Sequence, residues 1–258
     1  PPDRIVEEFI HGQNAGYRKF SFLADDCGSY GLDIGTDFAA LLNSLLPHVD
    51  PYTRLYVHYI EPRNLLRIYP DINPDIFGFT AFFHVPMQSI CPRIIQFMNR
   101  RYDPHRIFEI AAAIKSANPD IAVWSNILFC FPGETREEFE DSFRIRDYFD
   151  KVLYYCFSPR PNTPAAKMKE QIPPDEVHHR VSRIREKAAA DPRIVLAHED
   201  LSELGFGERK PGKLFVYEHR GLASGPTTGF PTFHGSQHDH GGEHNIPGQR
   251  SKGRKSRI

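Results

Sequence analysis

Ile121-Ala122-Val123-Trp124-Ser125-Asn126-Ile127-Leu128-Phe129-Cys130-Phe131 is an almost unbroken apolar run, and it ends in Pro132-Gly133-Glu134-Thr135. Thr135 stands as a helix cap ahead of the spaced Phe139 and Phe143. A short apolar run closed by a Pro-Gly turn and followed by a capped helix reads as a buried strand feeding a crossover helix. The same unit recurs in both directions. Upstream, Tyr17–Ala24, Arg54–Ile60 and Phe77–Val85 read as strands. Phe38–Leu46, Pro62–Ile68, Pro92–Asn99 and Pro104–Ala117 read as helices, the last three with proline in the first turn. Asp3–Ala15 carries Ile5, Val6, Phe9 and Ile10 at helical spacing, with Gly16 as its stop. Downstream, Lys151–Phe157 is a further strand and Asp175–Ala190 a charged helix. Such alternation is the pattern of a parallel sheet with crossover helices. The expected class is therefore α/β, a partial (β/α) barrel of mostly parallel strands over residues 1–190. Chemistry in such folds gathers at the carboxyl ends of the strands, so the loops starting at Asp25, Pro86, Pro132 and Ser158 are expected to share one mouth.

Beyond residue 190 the composition shifts. Residues 191–220 are expected to form a small β extension, with strands at Ile194–His198 and Leu214–His219. Residues 221–258 read as a low-complexity, disordered tail. It carries His234, His238, His240 and His244 and a basic end, Arg250–Arg257, both expected to be solvated.

Composition narrows the function. In 258 residues, 32 Lys+Arg against 33 Asp+Glu give a formal charge of -1, which excludes a protein held on nucleic acid by bulk charge. No stretch approaches the roughly 18 apolar residues of a membrane helix, and Pro1-Pro2-Asp3-Arg4 lacks the order of a signal peptide. A cytoplasmic protein without membrane contact is expected. Cys27, Cys91, Cys130 and Cys156 have no short repeat in their spacing, so they read as separate thiols, with neither a disulfide framework nor a metal site.

Five segments at strand ends and their following helices then occur in a telling order: Tyr30-Gly31-Leu32-Asp33; His84-Val85-Pro86-Met87-Gln88-Ser89; Met98-Asn99-Arg100-Arg101-Tyr102; Phe131-Pro132-Gly133-Glu134-Thr135; and Ser158-Pro159-Arg160-Pro161-Asn162-Thr163-Pro164. Over residues 3–187 the chain resembles the radical S-adenosylmethionine methylthiotransferases. The resemblance implies a radical SAM barrel whose cofactors are S-adenosylmethionine and a 4Fe-4S cluster held by three Cys. It also implies a reaction in which a 5'-deoxyadenosyl radical takes hydrogen from an unactivated C–H bond and a methylthio group is installed. The partners implied are a tRNA or a protein substrate, and an electron donor for the cluster. Gln88, Ser89, Arg100, Gly133 and Glu134 are expected to line the cofactor pocket, and Tyr30, Asp33 and Arg160 to face the substrate. No catalytic residue is assigned.

The chain also departs from the family, and each departure concerns the site. It contains no CxxxCxxC, a loop that in the family lies just before the stretch resembling Pro2–Glu8. Ile90-Cys91 stand where the family has Gly-Ser, Asn126 and Cys130 where it has Asp and Gly, and Asp25-Asp26-Cys27 where it has a Gln-Asp-Thr type loop. The missing cysteines motivate an alternative: a degenerate, non-catalytic barrel that binds S-adenosylmethionine, RNA or a protein partner. A third reading needs no cluster and is acid–base chemistry through Asp25, Asp26 and Glu134.

Overall fold

A computed structural model describes residues 1–197. Six strands, β1 (Lys19–Phe22), β2 (Arg54–Val57), β3 (Thr80–His84), β4 (Ala122–Phe129), β5 (Lys151–Cys156) and β6 (Ile194–Leu196), form one sheet in the order β1-β2-β3-β4-β5-β6. Every neighbouring pair is parallel. The helices are α1 (Pro2–Asn14), α2 (Phe38–Leu45), α3 (Pro62–Ile68), α4 (Pro92–Phe97), α5 (Pro104–Ala117), α6 (Arg136–Asp141) and α7 (Pro174–Ala190). A sheet whose spatial order equals its chain order makes every crossover step the same way, which puts all helices on one face and leaves the other as the inner wall of a partial barrel.

Burial follows that geometry. Leu55, Val57, Phe83, Val85, Val123, Ile127 and Val152 join Leu41, Leu65, Ile107, Ile114, Phe139 and Ile184 from the helices in one core cluster. The helix starts are built locally. Asp37, Glu61 and Asp103 accept backbone N–H bonds at the starts of α2, α3 and α5. Thr135 and Glu138 form a full capping box on α6.

Three boundaries differ from the sequence expectation. Pro74–Phe79 is a 3-10 turn, so β3 starts at Thr80 rather than Phe77: Asn73 caps the Asp75 N–H and draws the chain into a turn. The helix after Thr135 stops at Asp141 and continues as a 3-10 turn, Ser142–Asp147, through Phe143. Ile194–Leu196, expected to open a separate small β unit, instead pairs with Val152–Tyr154 as the sixth strand, because Ile194 and Leu196 fit the apolar face beside β5. The rest of that unit, the tail 221–258, its histidines and its basic end lie outside the described residues. No helix among the described residues is long and apolar enough to cross a membrane.

Candidate functional site

The four loops expected at one mouth follow the carboxyl ends of β1, β3, β4 and β5, and the β2 loop joins them. Left-handed backbone at three successive strand ends, Tyr59 (φ 55°), Gln88 (φ 69°) and Cys130 (φ 62°), breaks the strand alternation there. The wall below the mouth is the inner face. There His58 lies 4.8 Å from Phe82, Tyr59 4.8 Å from His84 and Phe82 5.1 Å from Trp124, ring centre to ring centre. Lys151 sits over the Trp124 ring at 4.6 Å. His84 Nε2 is 2.9 Å from Asn126 Oδ1. An amide oxygen only accepts, so His84 carries its proton on Nε2. Burial, opposed by the bond to Asn126, lowers the His84 pKa to about 4 and keeps the ring neutral.

The β1 and β2 loops are stitched by one carboxylate. Asp26 accepts from Gly28 N (2.9 Å), Glu61 N (3.0 Å) and Asn64 Nδ2 (2.6 Å). Cys27 donates to the His58 carbonyl at 2.9 Å, and burial pushes its thiol up to about 11. In the following turn the Gly31 carbonyl accepts from both Ile34 N and Thr36 N at 3.0 Å. Gly31 has φ +81°, and a Cβ there would stand 2.6 Å from Thr36, so only glycine fits. Asp33 is exposed on this turn and is not needed to close it. The Tyr30 hydroxyl is sealed without a hydrogen-bond partner among the described residues.

In the β3 loop, Gln88 bonds the edge of β4 through its backbone, N to the Asn126 carbonyl and O from Leu128 N, each 2.8 Å. Ser89 is buried and its Oγ accepts from Cys91 N at 3.1 Å. The Tyr102 hydroxyl donates to the Met87 carbonyl and, at 3.1 Å, to that of Ser89. Two segments distant in sequence are thus one clamp. Arg100 pairs with Glu61 Oε1 at 3.3 Å, while Arg101 is exposed.

The β4 turn is held from below. Glu134 is buried, accepts from Cys130 N (2.8 Å) and pairs with Arg180 of α7 at 2.6 Å. Burial lifts Glu134 to about 7 against the pull of Arg180. Arg180 also bonds the Glu134 carbonyl (2.9 Å) and Glu176 (2.9 Å) and lies over the Phe139 ring. Gly133, at φ +83°, gives its carbonyl to Arg93 (2.7 Å) and its N–H to the Glu170 carbonyl (2.8 Å). Arg93 also pairs with Glu138, holding that carboxyl down at about 2 although burial alone would raise it. Arg160 is exposed on a turn closed by Thr163.

The expected residues therefore fall into two groups. Gln88, Ser89, Gly133 and Glu134 stand at neighbouring strand ends, whereas Asp33 and Arg160 lie on exposed turns. The side chains of Ser89, Arg100 and Glu134 are engaged inside the protein. Of the three carboxylates of the acid–base reading, Asp26 and Glu134 are committed to internal hydrogen bonds and Asp25 is exposed. Sequence reasoning singled out neither His58 and Tyr59 nor the His84–Asn126 pair. For His58, His84 and Asn126 the signal was the alternation of Tyr56, His58, Phe82, His84, Trp124 and Asn126 with Leu55, Val57, Phe83, Val123, Ser125 and Ile127, whereas Tyr59 lies outside it.

A 4Fe-4S cluster needs three convergent thiolates. Among the described residues no three His, Cys, Asp or Glu side chains come together as a metal site. Cys27 is turned to His58, and Cys91 donates to Glu138 at 3.0 Å. The residues present do not fit a cluster.

The chain is 33% identical over 190 residues to the tRNA-2-methylthio-N(6)-dimethylallyladenosine synthase of Acetivibrio thermocellus, covering 71% of this chain and 39% of that protein. It is 30% identical over 224 residues to the protein of the same name from Pelotomaculum thermopropionicum, covering 84% and 50%. The chain thus spans two fifths to half the length of these curated relatives. Among solved structures, the radical S-adenosylmethionine methyltransferase TsrM from Kitasatospora setae matches 64% of this chain and 32% of its own at TM-score 0.47 and 17% identity. No family model matches the chain.

Proposed function

The chain belongs to the radical S-adenosylmethionine methylthiotransferase family, and from that premise we propose that it is the barrel of an enzyme that installs a methylthio group at an unactivated C–H bond of a tRNA base. The observation that carries this is the identity of 33% to a tRNA-2-methylthio-N(6)-dimethylallyladenosine synthase along 190 residues. Its setting is cytoplasmic, with the tRNA pool and a reductant as partners.

The residues divide the work by what their side chains have left to offer. Gln88, with its backbone pinned to β4, and the turn at Gly133 face S-adenosylmethionine. Ser89, Arg100 and Glu134 are positioning residues that hold those loops. Asp33 and Arg160, on exposed turns, meet the larger substrate, and Tyr30, its hydroxyl sealed from solvent, serves it only through the turn it supports. His84 is neutral and gives its Nε2–H to Asn126, which fixes its ring on the inner wall without adding charge. Radical generation requires a three-thiolate loop that these 258 residues do not contain, and no step is assigned to it here.

The test is the tRNA of the source organism with the gene deleted and restored, digested to nucleosides and examined by mass spectrometry. A methylthiolated nucleoside that vanishes and returns is expected. An unchanged nucleoside profile rejects the proposal.

One observation favours a second reading, a barrel that binds S-adenosylmethionine, RNA or a protein partner without radical chemistry: no three metal-ligating side chains converge among the described residues. Anaerobic reconstitution of this chain with iron and sulfide separates the two. A stoichiometric 4Fe-4S cluster on these residues alone would sink the second reading.

A further inference from the structure

The mouth holds two thiols that the proposed function does not use. Cys156 ends β5 and is in register with Phe129, which ends β4. Cys130 follows Phe129, and strict alternation would point its side chain to the opposite face. Its left-handed φ of 62° turns it back. Phe129, Cys130 and Cys156 consequently share the core cluster on the helix side of the sheet. The side chains of Cys130 and Cys156 are hydrogen-bonded to each other, and each residue is 4% exposed. Cys156 Sγ also reaches the Phe157 carbonyl at 3.7 Å.

Left-handed backbone is disfavoured for any residue with a Cβ. What the chain gains at position 130 is not the hydrogen bond to Glu134, which a glycine N–H would make equally well. It is a sulfur beside a sulfur. Cys130 is offset by one residue from the Phe129–Cys156 pair. With strands about 4.8 Å apart and a rise of about 3.3 Å per residue, such an offset separates two Cα atoms by about 6 Å, inside the range of about 4.4–6.8 Å that a disulfide spans.

We propose that Cys130 and Cys156 form a modification site, a dithiol that a hydroperoxide converts into a disulfide tying the Phe131–Thr135 turn to the end of β5. In the first step one thiol loses its proton and attacks a peroxide oxygen. The O–O bond breaks, and with hydrogen peroxide the products are a sulfenic acid and water. In the second step the other thiol displaces the sulfenic oxygen as a second water. The Sγ–Sγ bond replaces two S–H bonds, and the two electrons lost by sulfur reduce the peroxide. The hydrogen bond to Cys156, then burial, push the Cys130 thiol up against the opposing pull of Arg180. A thiol with a raised pKa is little ionised and so a poor nucleophile at neutral pH, and the buried pair reacts slowly, under sustained exposure to the peroxide. Nothing in this depends on the proposed function.

The experiment exposes the 258-residue chain to hydrogen peroxide, digests it without reduction and maps linked peptides by mass spectrometry. The expected product is lighter by two hydrogens and carries a Cys130–Cys156 link. The link is absent from Cys156→Ala and from Cys130→Gly, a variant whose backbone suits the left-handed turn and which retains the circular dichroism of the parent. The proposal is overturned if the two residues stay as thiols, or accumulate as separate sulfinic acids, under exposure that oxidises them in the denatured chain. It is equally overturned if the links formed join Cys27 or Cys91 instead.

Discussion

The two faces of the sheet are built from alternate residues of the same strands and share almost no chemistry. Toward the helices stand Leu55, Val57, Phe83, Val85, Val123, Ile127 and Val152, all within the core cluster. Toward the barrel interior stand Tyr56, His58, Phe82, His84, Trp124 and Asn126, aromatic or hydrogen-bonding, with Leu153 of β5 beside Asn126 as an aliphatic member. Neighbours one residue apart thus answer to different constraints: one side is fixed by volume and apolar area, the other by rings, protons and hydrogen-bond direction.

That division can be broken most severely from beneath the outer layer. Arg180→Ala leaves Glu134 buried without a guanidinium and Glu176 with Arg136 alone, and about 4 kcal/mol of stability should be lost. An unfolding free energy from denaturant titration lowered by less than about 1 kcal/mol would mean that water repairs the gap.

Next in size is a pH effect confined to the inner wall. His84 titrates at about 4 in the fold against 6.5 in the unfolded chain. A depressed pKa gives stability that is present above 6.5 and lost as pH falls toward 4, because the unfolded chain binds the extra proton first. The difference in stability between the parent and His84→Gln should change by about 3 kcal/mol over that window, whereas Glu134, lifted to about 7, acts in the opposite direction equally in both proteins. Thermal melts of both proteins between those pH values decide the matter, and parallel curves would refute the assignment.

Paired substitutions at adjacent positions sharpen the contrast directly. Ile127→Ala, on the outer side, should cost about 3 kcal/mol through a cavity. Asn126→Ala, one residue earlier on the inner side, should cost about 1.5 kcal/mol by leaving the His84 N–H without its acceptor. Equal costs would erase the distinction between faces. The smallest effect should come from Tyr102→Phe, about 1 kcal/mol, for the hydroxyl shared by the Met87 and Ser89 carbonyls. Its more sensitive readout is S-adenosylmethionine affinity by calorimetry, which should weaken if that clamp shapes the Gln88 loop.

Most of the scaffold was legible in the sequence because its signals are local. Apolar runs marked β2 to β5, prolines marked the starts of α3, α4 and α5, and Thr135 announced its own capping box. The ordered motifs also located the mouth. The interior of the site was not legible, since it depends on register and on backbone sign. Nothing in the sequence pairs Glu134 with Arg180, 46 residues later, which lies beneath it in the fold. Cys130 and Cys156 read as unrelated until the β4–β5 register and a left-handed φ bring them together. Ile194–Leu196 is too short to declare which sheet it joins, and only pairing with β5 settles that. The relation between Tyr102 and the Met87–Ser89 carbonyls explains why two motifs travel together, but neither motif reveals it alone.

The sequential order of the sheet has a kinetic meaning. Each strand pairs only with the strand before and the strand after it, so native contacts are assembled between successive units and chain-closure entropy stays modest. The longest ladder, six residue pairs between β4 and β5, lies toward the carboxyl end, whereas β6 contributes three. Assembly that nucleates on the β4–α6–β5 unit and spreads outward would leave the terminal strands as the last to lock and the first to fray. Slow amide exchange would then concentrate around the Phe-Pro-Gly-Glu turn, making the best-protected backbone in the molecule the part that borders its mouth.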